Sequence, residues 1–390
     1  MWQAQRGLPV IEPVKIEPVK IETSSFKKLV AQKIQEGKEF LYRMENQEKH
    51  GFYKKYWATT DYLEDRLHTV YSASIIYTFL YIYDWQKDEE ILKRLPDWGS
   101  FLLFMQNKDE NDPRYGAFHY SYYLDSQEKE KKFVVGTTAL SIFTLLRMYD
   151  FTDNQKYLES AKLAGNWLAD MQNPDGSMKP YVRYNGEKWV KGTKESLLYN
   201  GQVLSALPKI YKVTRDKKYY SVAEKIAERF VQKYQKEQGY IKGDYRDKNP
   251  ISNAWVVMSL MDFYKVDPRP IYRDIIFDLS RLILEHQKDN GQIEGAYSTS
   301  GNGWILEVMA QVYRFCRDQD REDCEKYKQG ARKIIGWIVE RTYSEKNSSD
   351  LKNPARARGG VFWNKSIKYV RTDSVCHALN GYILIFDYLK

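Results

Sequence analysis

WLADMQNPDGSM, Trp167–Met178, holds the repeating unit from which the architecture follows. It ends a run of apolar residues at helix period, sets Gln172 four residues before Gly176, and passes through a polar loop into a second helical segment. The same spacing occurs at Gln47 and Gly51, Gln235 and Gly239, and Gln287 and Gly291, with a looser version from Gln106 to Gly116. The pattern of helix, aromatic polar loop and helix recurs six times with a period of roughly 50 to 65 residues. A repeat of that size is a helical hairpin that cannot bury its apolar face alone, so the units close or stack into an array.

The two helices of each unit differ in kind. One set runs near Phe26–Glu45, Asp88–Met105, Asn154–Met171, Lys217–Tyr234, Pro268–His286 and Glu322–Arg341, mixing charged and apolar residues at three and four residue spacing. That is a helix with one buried face. Asp153, Asp216 and Asp267 stand at or beside the starts, where a carboxylate accepts from free backbone N–H groups. The alternate set runs near Thr69–Tyr83, Val135–Tyr149, Ser196–Lys212, Ile251–Tyr264, Asn302–Cys316 and Asp373–Tyr388, apolar nearly all round, with small residues in or near its first turns. Such helices are buried on every side. Six buried helices ringed by six amphipathic ones make an all-α (α/α)6 toroid over residues 26–390, with the loops on the face where the inner helices begin.

Composition fits one folded domain: 43% hydrophobic and 29% charged residues, with no break after residue 26. The longest apolar stretch, such as Ser72–Tyr83, is too short and too polar to span a bilayer, so a soluble protein is expected. The net charge of +9 biases the chain toward anionic partners, yet basic residues scatter through every repeat and no nucleic-acid module appears. Residues 1–25 contain VIEPVKIEPVKIE, whose prolines exclude a stable helix and favour an extended linker. Met1–Pro9 lacks the apolar run of a signal peptide, which leaves a cytoplasmic protein or an exported one whose leader is absent from this chain. Cys316 and Cys324 flank RDQDRED, where the ends of a hairpin approach within disulfide reach; a bridge means an oxidising compartment, and two reduced thiols a cytosolic one. The oligomeric state is open.

On these segments, essentially the whole folded chain, the protein resembles the six-hairpin superfamily of carbohydrate-active enzymes, which holds glycoside hydrolases, polysaccharide lyases and sugar epimerases. The resemblance implies a site in the cleft at the inner-helix N-termini. WLADMQNPDGSM also resembles the Gln and Trp repeat of triterpene cyclases, a related toroid. YNGQVLSAL (Tyr199–Leu207, with Gln202) and HALNGYI (His377–Ile383) are similar to inner-helix segments of uronyl epimerases and lyases.

The loops leading into the inner helices carry the candidate site. They supply Trp57, Asp61, Arg66 and His68, then Tyr120 and Tyr122, then Tyr181, Arg183, Glu195 and Tyr199, then Arg246, Asp247 and Trp255, then Tyr297, Asn302 and Trp304, and last Arg371, Asp373 and His377. Flat sugar faces stack on aromatic rings and sugar hydroxyls need planar hydrogen-bond partners, so this composition suits an oligo- or polysaccharide, neutral or acidic. The alternative is that the rings plug a wide toroid. Hydrolysis needs two carboxyl groups, and Asp61 and Asp373 belong to the first and last repeats, which are neighbours in a closed ring; Glu195, Asp244, Asp247 and Glu294 compete. Elimination or epimerisation of a uronic acid needs instead a Tyr or His base and a cation for the developing charge, roles open to Tyr199, His377, Arg183, Arg246 and Arg371. Cys376-His377 resembles one motif of the zinc-holding lanthionine cyclases, but no second cysteine stands in an adjacent inner-helix loop and neither HExxH nor CxxC occurs. No metal or other cofactor is therefore expected. A non-catalytic glycan-binding toroid and a terpene-cyclase-like enzyme remain as readings from other classes, the second lacking any DxDD or DDxxD segment.

Overall fold

A computed structural model describes residues 25–237, 239–244 and 250–389. The expected linker therefore lies outside the described residues, apart from Ser25, which begins the first helix. The helices alternate as foreseen: α1 (Ser25–Arg43) leads to α2 (Thr69–Gln86), α3 (Glu89–Met105) to α4 (Val135–Thr152), α5 (Gln155–Asp170) to α6 (Leu197–Thr214), α7 (Lys217–Lys236) to α8 (Pro250–Tyr264) and α9 (Pro270–Glu285) to α10 (Thr299–Asp318). The last pair is α11 (Glu325–Val339), the four-residue α12 (Pro354–Ala357) and α13 (Thr372–Ile385). Each of α2, α4, α6, α8 and α10 packs on the next inner helix, α10 packs on α13, and α13 returns to α2, so the inner ring is closed. Among the described residues no helix is long and apolar enough to cross a membrane.

Small side chains let the inner helices crowd. A Cβ on Gly201 would come 2.9 Å from the Trp255 carbonyl oxygen, and one on Gly381 would come 2.5 Å from Leu306 Cγ. Caps partly depart from expectation. Asp216 does cap α7, accepting from Lys218 N. Asp153 instead ends α4 in the left-handed conformation while Asn154 caps α5, and Asp267 pairs with Arg269 at 2.8 Å.

The loop face is not irregular, as an all-helical reading implies. Its Tyr, Trp and Val residues favour a half-buried extended backbone and form β1 (Lys55–Trp57), β2 (Tyr62–Leu63), β3 (Arg66–His68), β4 (Ser121–Tyr123), β5 (Lys132–Val134), β6 (Tyr181–Tyr184), β7 (Trp189–Lys191) and β8 (Tyr369–Arg371). The antiparallel sheets run β2-β1-β8, β3-β4 and β5-β6-β7, each pairing a loop with that of a neighbouring repeat. Lys55 lies opposite Arg371, which joins the first loop to the last.

The Gln and Gly pattern has a mechanical cause. Gln172 Nε2 donates to the Val222 carbonyl on the next outer helix at 2.9 Å; Gln287 does the same to Gly330 and Gln106 to Ser160. The glycines turn the chain with positive φ directly against that helix, and a Cβ on Gly291 would sit 2.1 Å from the Lys333 oxygen. The first repeat differs from the sequence reading. Glu45, not Gln47, holds the equivalent place beside Phe52, and its carboxylate accepts from Arg94 on α3 at 3.0 Å. Behind five of the turns a returning N–H docks on an inner-helix side chain: Phe52 on Ser72, Phe118 on Thr138, Met178 on Asn200, Ile241 on Asn253 and Ile293 on Asn302. Cys316 and Cys324 are joined by a disulfide across the turn between α10 and α11.

Gly291→Ala is expected to lower the unfolding free energy by about 3 kcal/mol through strain and close contact. Gly186→Ala, also at positive φ but with nothing within 4 Å, should cost about 1 kcal/mol. Urea denaturation of the two variants checks this; equal losses would mean that the turn does not press on the next helix.

Candidate active site

The inner helices enclose a cavity of about 470 Å³ that opens on the loop face and runs along the ring axis. Near the mouth its wall carries Lys54, Tyr71, Tyr120, Tyr199, Gln202, Trp255, Trp304, Trp363, Arg371, Asp373 and His377. Deeper it reaches Tyr77, Tyr81, Lys209, Asp262, Glu307 and Gln311. This lining mixes flat rings with ionisable groups, unlike the closed apolar pocket that a polyene cyclase needs.

Two acid–base groups stand one turn apart on α13. Asp373 accepts from Arg371 Nε at 3.1 Å and from Ser300 Oγ at 2.9 Å. Burial pushes its carboxyl up, but Arg371, His377 and Ser300 outweigh that and hold it below the usual carboxylate range. It is therefore ionised at neutral pH. Arg371 also donates to the Tyr71 hydroxyl at 2.8 Å and lies 4.6 Å from the centre of the Trp363 ring. His377 Nδ1 is 2.8 Å from Glu307 Oε2, and Asn380 donates to the other oxygen of Glu307. A carboxylate accepts, so Nδ1 carries the hydrogen and Nε2 is left to take or give a proton. The Trp304 ring meets His377 edge-on at 5.1 Å and stacks on Trp255 at 3.9 Å, which fixes the imidazole from the side.

Of the other expected residues, several serve the scaffold. Asp61 is outside the cavity wall, accepting from Tyr56 Oη and Arg356 Nη1, both at 2.9 Å. Glu195 ties α7 to the start of α6 through Arg229, Lys233 and Asn200. Asn302 is fully buried, its amide spent on Ile293, Ala296 and Ser298. His68 is buried against Glu64, and burial draws its pKa down although Glu64 opposes this. Tyr122 is packed edge-on to Phe104. Trp57 packs at a tilt between Tyr62 and Tyr369 at the rim, Arg66 lies over Tyr123, Arg183 lies over Tyr181, and Tyr297 is 77% exposed. Arg246 and Asp247 lie outside the described residues.

Sequence reasoning missed Lys54, Tyr71, Lys209, Asp262 and Glu307. The signal was available for Asp262: a lone charge in a helix otherwise apolar all round must find a partner or face a cavity. Its partner is Lys209 at 2.5 Å, with Lys265 also on Asp262. Burial pushes Asp262 up, but the two lysines outweigh it and draw its pKa down to about 2.

Residues 137–244 match the model of glycosyl hydrolase family 76. No curated protein matches the sequence. Among solved structures the chain is similar to cellobiose 2-epimerase from Bacillus thermoamylovorans, with 13% identity, a TM-score of 0.74, and 93% of this chain and 99% of that one covered. It is also similar to an unsaturated glucuronyl hydrolase specific for heparin (10% identity, TM-score 0.66, 93% and 97% covered). A third likeness is to an inactive variant of an α-1,6-mannanase of Salegentibacter in complex with α-1,6-mannotriose (12% identity, TM-score 0.64, 94% and 100% covered). The chain is an (α/α)6 toroid of the six-hairpin kind found among carbohydrate-active enzymes.

Asp262→Asn strands the Lys209 ammonium and is expected to lower unfolding free energy by about 3 kcal/mol, most of it recovered in the double variant with Lys209→Met. Because the folded pKa of Asp262 is depressed, its contribution is in place above the ordinary carboxylate range and is lost as pH falls through about 2. Denaturant titration at pH 7 and pH 2 checks both points; a single variant as stable as the parent contradicts the pairing.

Proposed function

We propose that this protein is a carbohydrate-active enzyme that cleaves glycosidic bonds of an oligo- or polysaccharide bound in the central cavity. The carrying observation is the pair on α13: Asp373, fixed by Arg371 and Ser300, and His377, fixed by Glu307, both on the cavity wall. In this reading Asp373 is the ionised group that activates water or meets the anomeric carbon, and His377 passes the proton to the leaving oxygen through Nε2. Tyr199, Trp255 and Trp304 offer ring faces to the sugar. The match to a glycosyl hydrolase family and the mannanase neighbour support cleavage. That neighbour was inactivated by replacing two consecutive aspartates, whereas this chain has no two aspartates in succession. The matched span also gives the cavity wall no Asp or Glu. The acids proposed here thus come from α10 and α13.

A second reading, proton abstraction from a uronic acid by an epimerase or lyase, is favoured by one observation. Lys54 and Arg371 both lie on the Tyr71 ring in the cavity wall, where they would neutralise an enolate-like charge. The epimerase and glucuronyl hydrolase neighbours and the net charge of +9 are consistent with it and with an anionic substrate.

A panel of neutral and uronic-acid glycans decides between them. New reducing ends without ultraviolet absorbance are expected for hydrolysis, reducing ends with absorbance for a lyase, and inverted sugar stereochemistry with neither for an epimerase. Asp373→Asn and His377→Ala should each lower kcat by at least about 100-fold. Turnover retained in both variants would remove the assignment.

A further inference from the structure

The cavity wall carries four lysines and arginines among the described residues: Lys54, Lys209, Lys265 and Arg371. Three are matched by carboxylates, Arg371 by Asp373 and the two deeper lysines by Asp262. Lys54 is not. Its nearest acid on its own loop, Glu64, accepts from the backbone N–H groups of Lys54 and Lys55 with one oxygen and faces His68 with the other. The Lys54 ammonium instead rests 5.2 Å from the centre of the Tyr71 ring, whose hydroxyl is held by Arg371. A partly buried ammonium that faces a cavity without a counter-ion is costly, and an anionic ligand removes that cost.

We propose that Lys54 is the receptor for the carboxylate of a uronic acid residue, so that the cavity selects acidic over neutral glycans. This rests on the glycan reading of the site given above. A sugar carboxylate seated beside Lys54 lies against Tyr71 and Arg371 and places its own ring toward Asp373 and His377, the groups that act on it. Lys54 is then a specificity-determining residue and takes no part in proton transfer.

The charged surroundings give this site a pH signature. Burial first, then Arg371 and Lys55, draw the Lys54 pKa down to about 8, while Glu64 and Asp373 oppose them. Tyr71 from α2 completes the groups around it and stays neutral, because burial pushes its hydroxyl well above the usual range. The ammonium form therefore predominates below about pH 8 and is lost above it. Carboxylate affinity should fall by up to about tenfold per pH unit beyond that point.

The test is calorimetric titration of the full chain with glucuronate- and galacturonate-containing tetrasaccharides and with the same tetrasaccharides after reduction of their carboxyl groups to alcohols. The acidic form is expected to bind at least about tenfold more tightly at pH 7. Lys54→Met should abolish that preference and its decline above pH 8, while leaving affinity for the reduced form unchanged, which also shows the variant to be folded. Equal binding of acidic and reduced forms by the parent protein, or an undiminished preference in Lys54→Met, overturns the role of Lys54 and leaves the glycan reading standing. If neither form binds, both are overturned.

Discussion

The structure depends on hydrogen bonds that run from the start of five inner helices, α2, α4, α6, α10 and α13, to the loop of the next repeat. Thr69 N donates to the Tyr120 carbonyl, Val135 N to Pro180, and Thr299 N to Trp363; Thr372 N, in the last repeat, donates to Lys54 in the first. Glu195 and Asp244 make the corresponding link by exchanging bonds. A buried helix N-terminus with unpaired N–H groups would be unstable, and three of these helices, α2, α4 and α13, have no side-chain cap. Along those five junctions one repeat completes its neighbour, and closure of the ring from the last repeat to the first is required by the backbone as well as by the apolar faces.

That constraint also makes the site. Six helix N-termini brought to one face carry positive partial charge toward the cavity mouth, and the loops that cap them deliver Lys54, Arg371 and Tyr120 to the same place. The acids on the wall are then held by specific partners: Asp373 by Arg371, Glu307 by His377, Asp262 by Lys209. Most charged groups in the interior are tolerated because they are paired, and His377 Nε2, the Lys54 ammonium and the unpartnered Gln202 Oε1, Trp304 Nε1 and Asn380 Oδ1 on the cavity wall keep capacity for a ligand.

Much of the fold could be read from the chain because its period and its charge pattern act over whole helices. The inner segments expected near Thr69–Tyr83 and Val135–Tyr149 are α2 and α4 with one more turn at the C-terminal end. The small sheets were not legible, since runs of two to four residues such as KYW or SYY carry no periodicity and pair only when the ring brings two loops together. The site was legible in part for the same reason. Arg371, Asp373 and His377 follow from their place at the start of α13, whereas Asp61, equally rich in promise by position, turns away to Arg356. Asn302 looks like a sugar ligand in sequence, but it repeats the docking role of Ser72, Thr138, Asn200 and Asn253, a correspondence visible only once the turns are aligned in space.

A crystal structure of the Asp373→Asn variant soaked with the best-bound oligosaccharide would show where the sugar sits. The expected result is a sugar ring inside the inner-helix ring, in hydrogen-bond reach of His377 and residue 373. Saccharide density confined to the outer helices or to the face opposite the loops would contradict it.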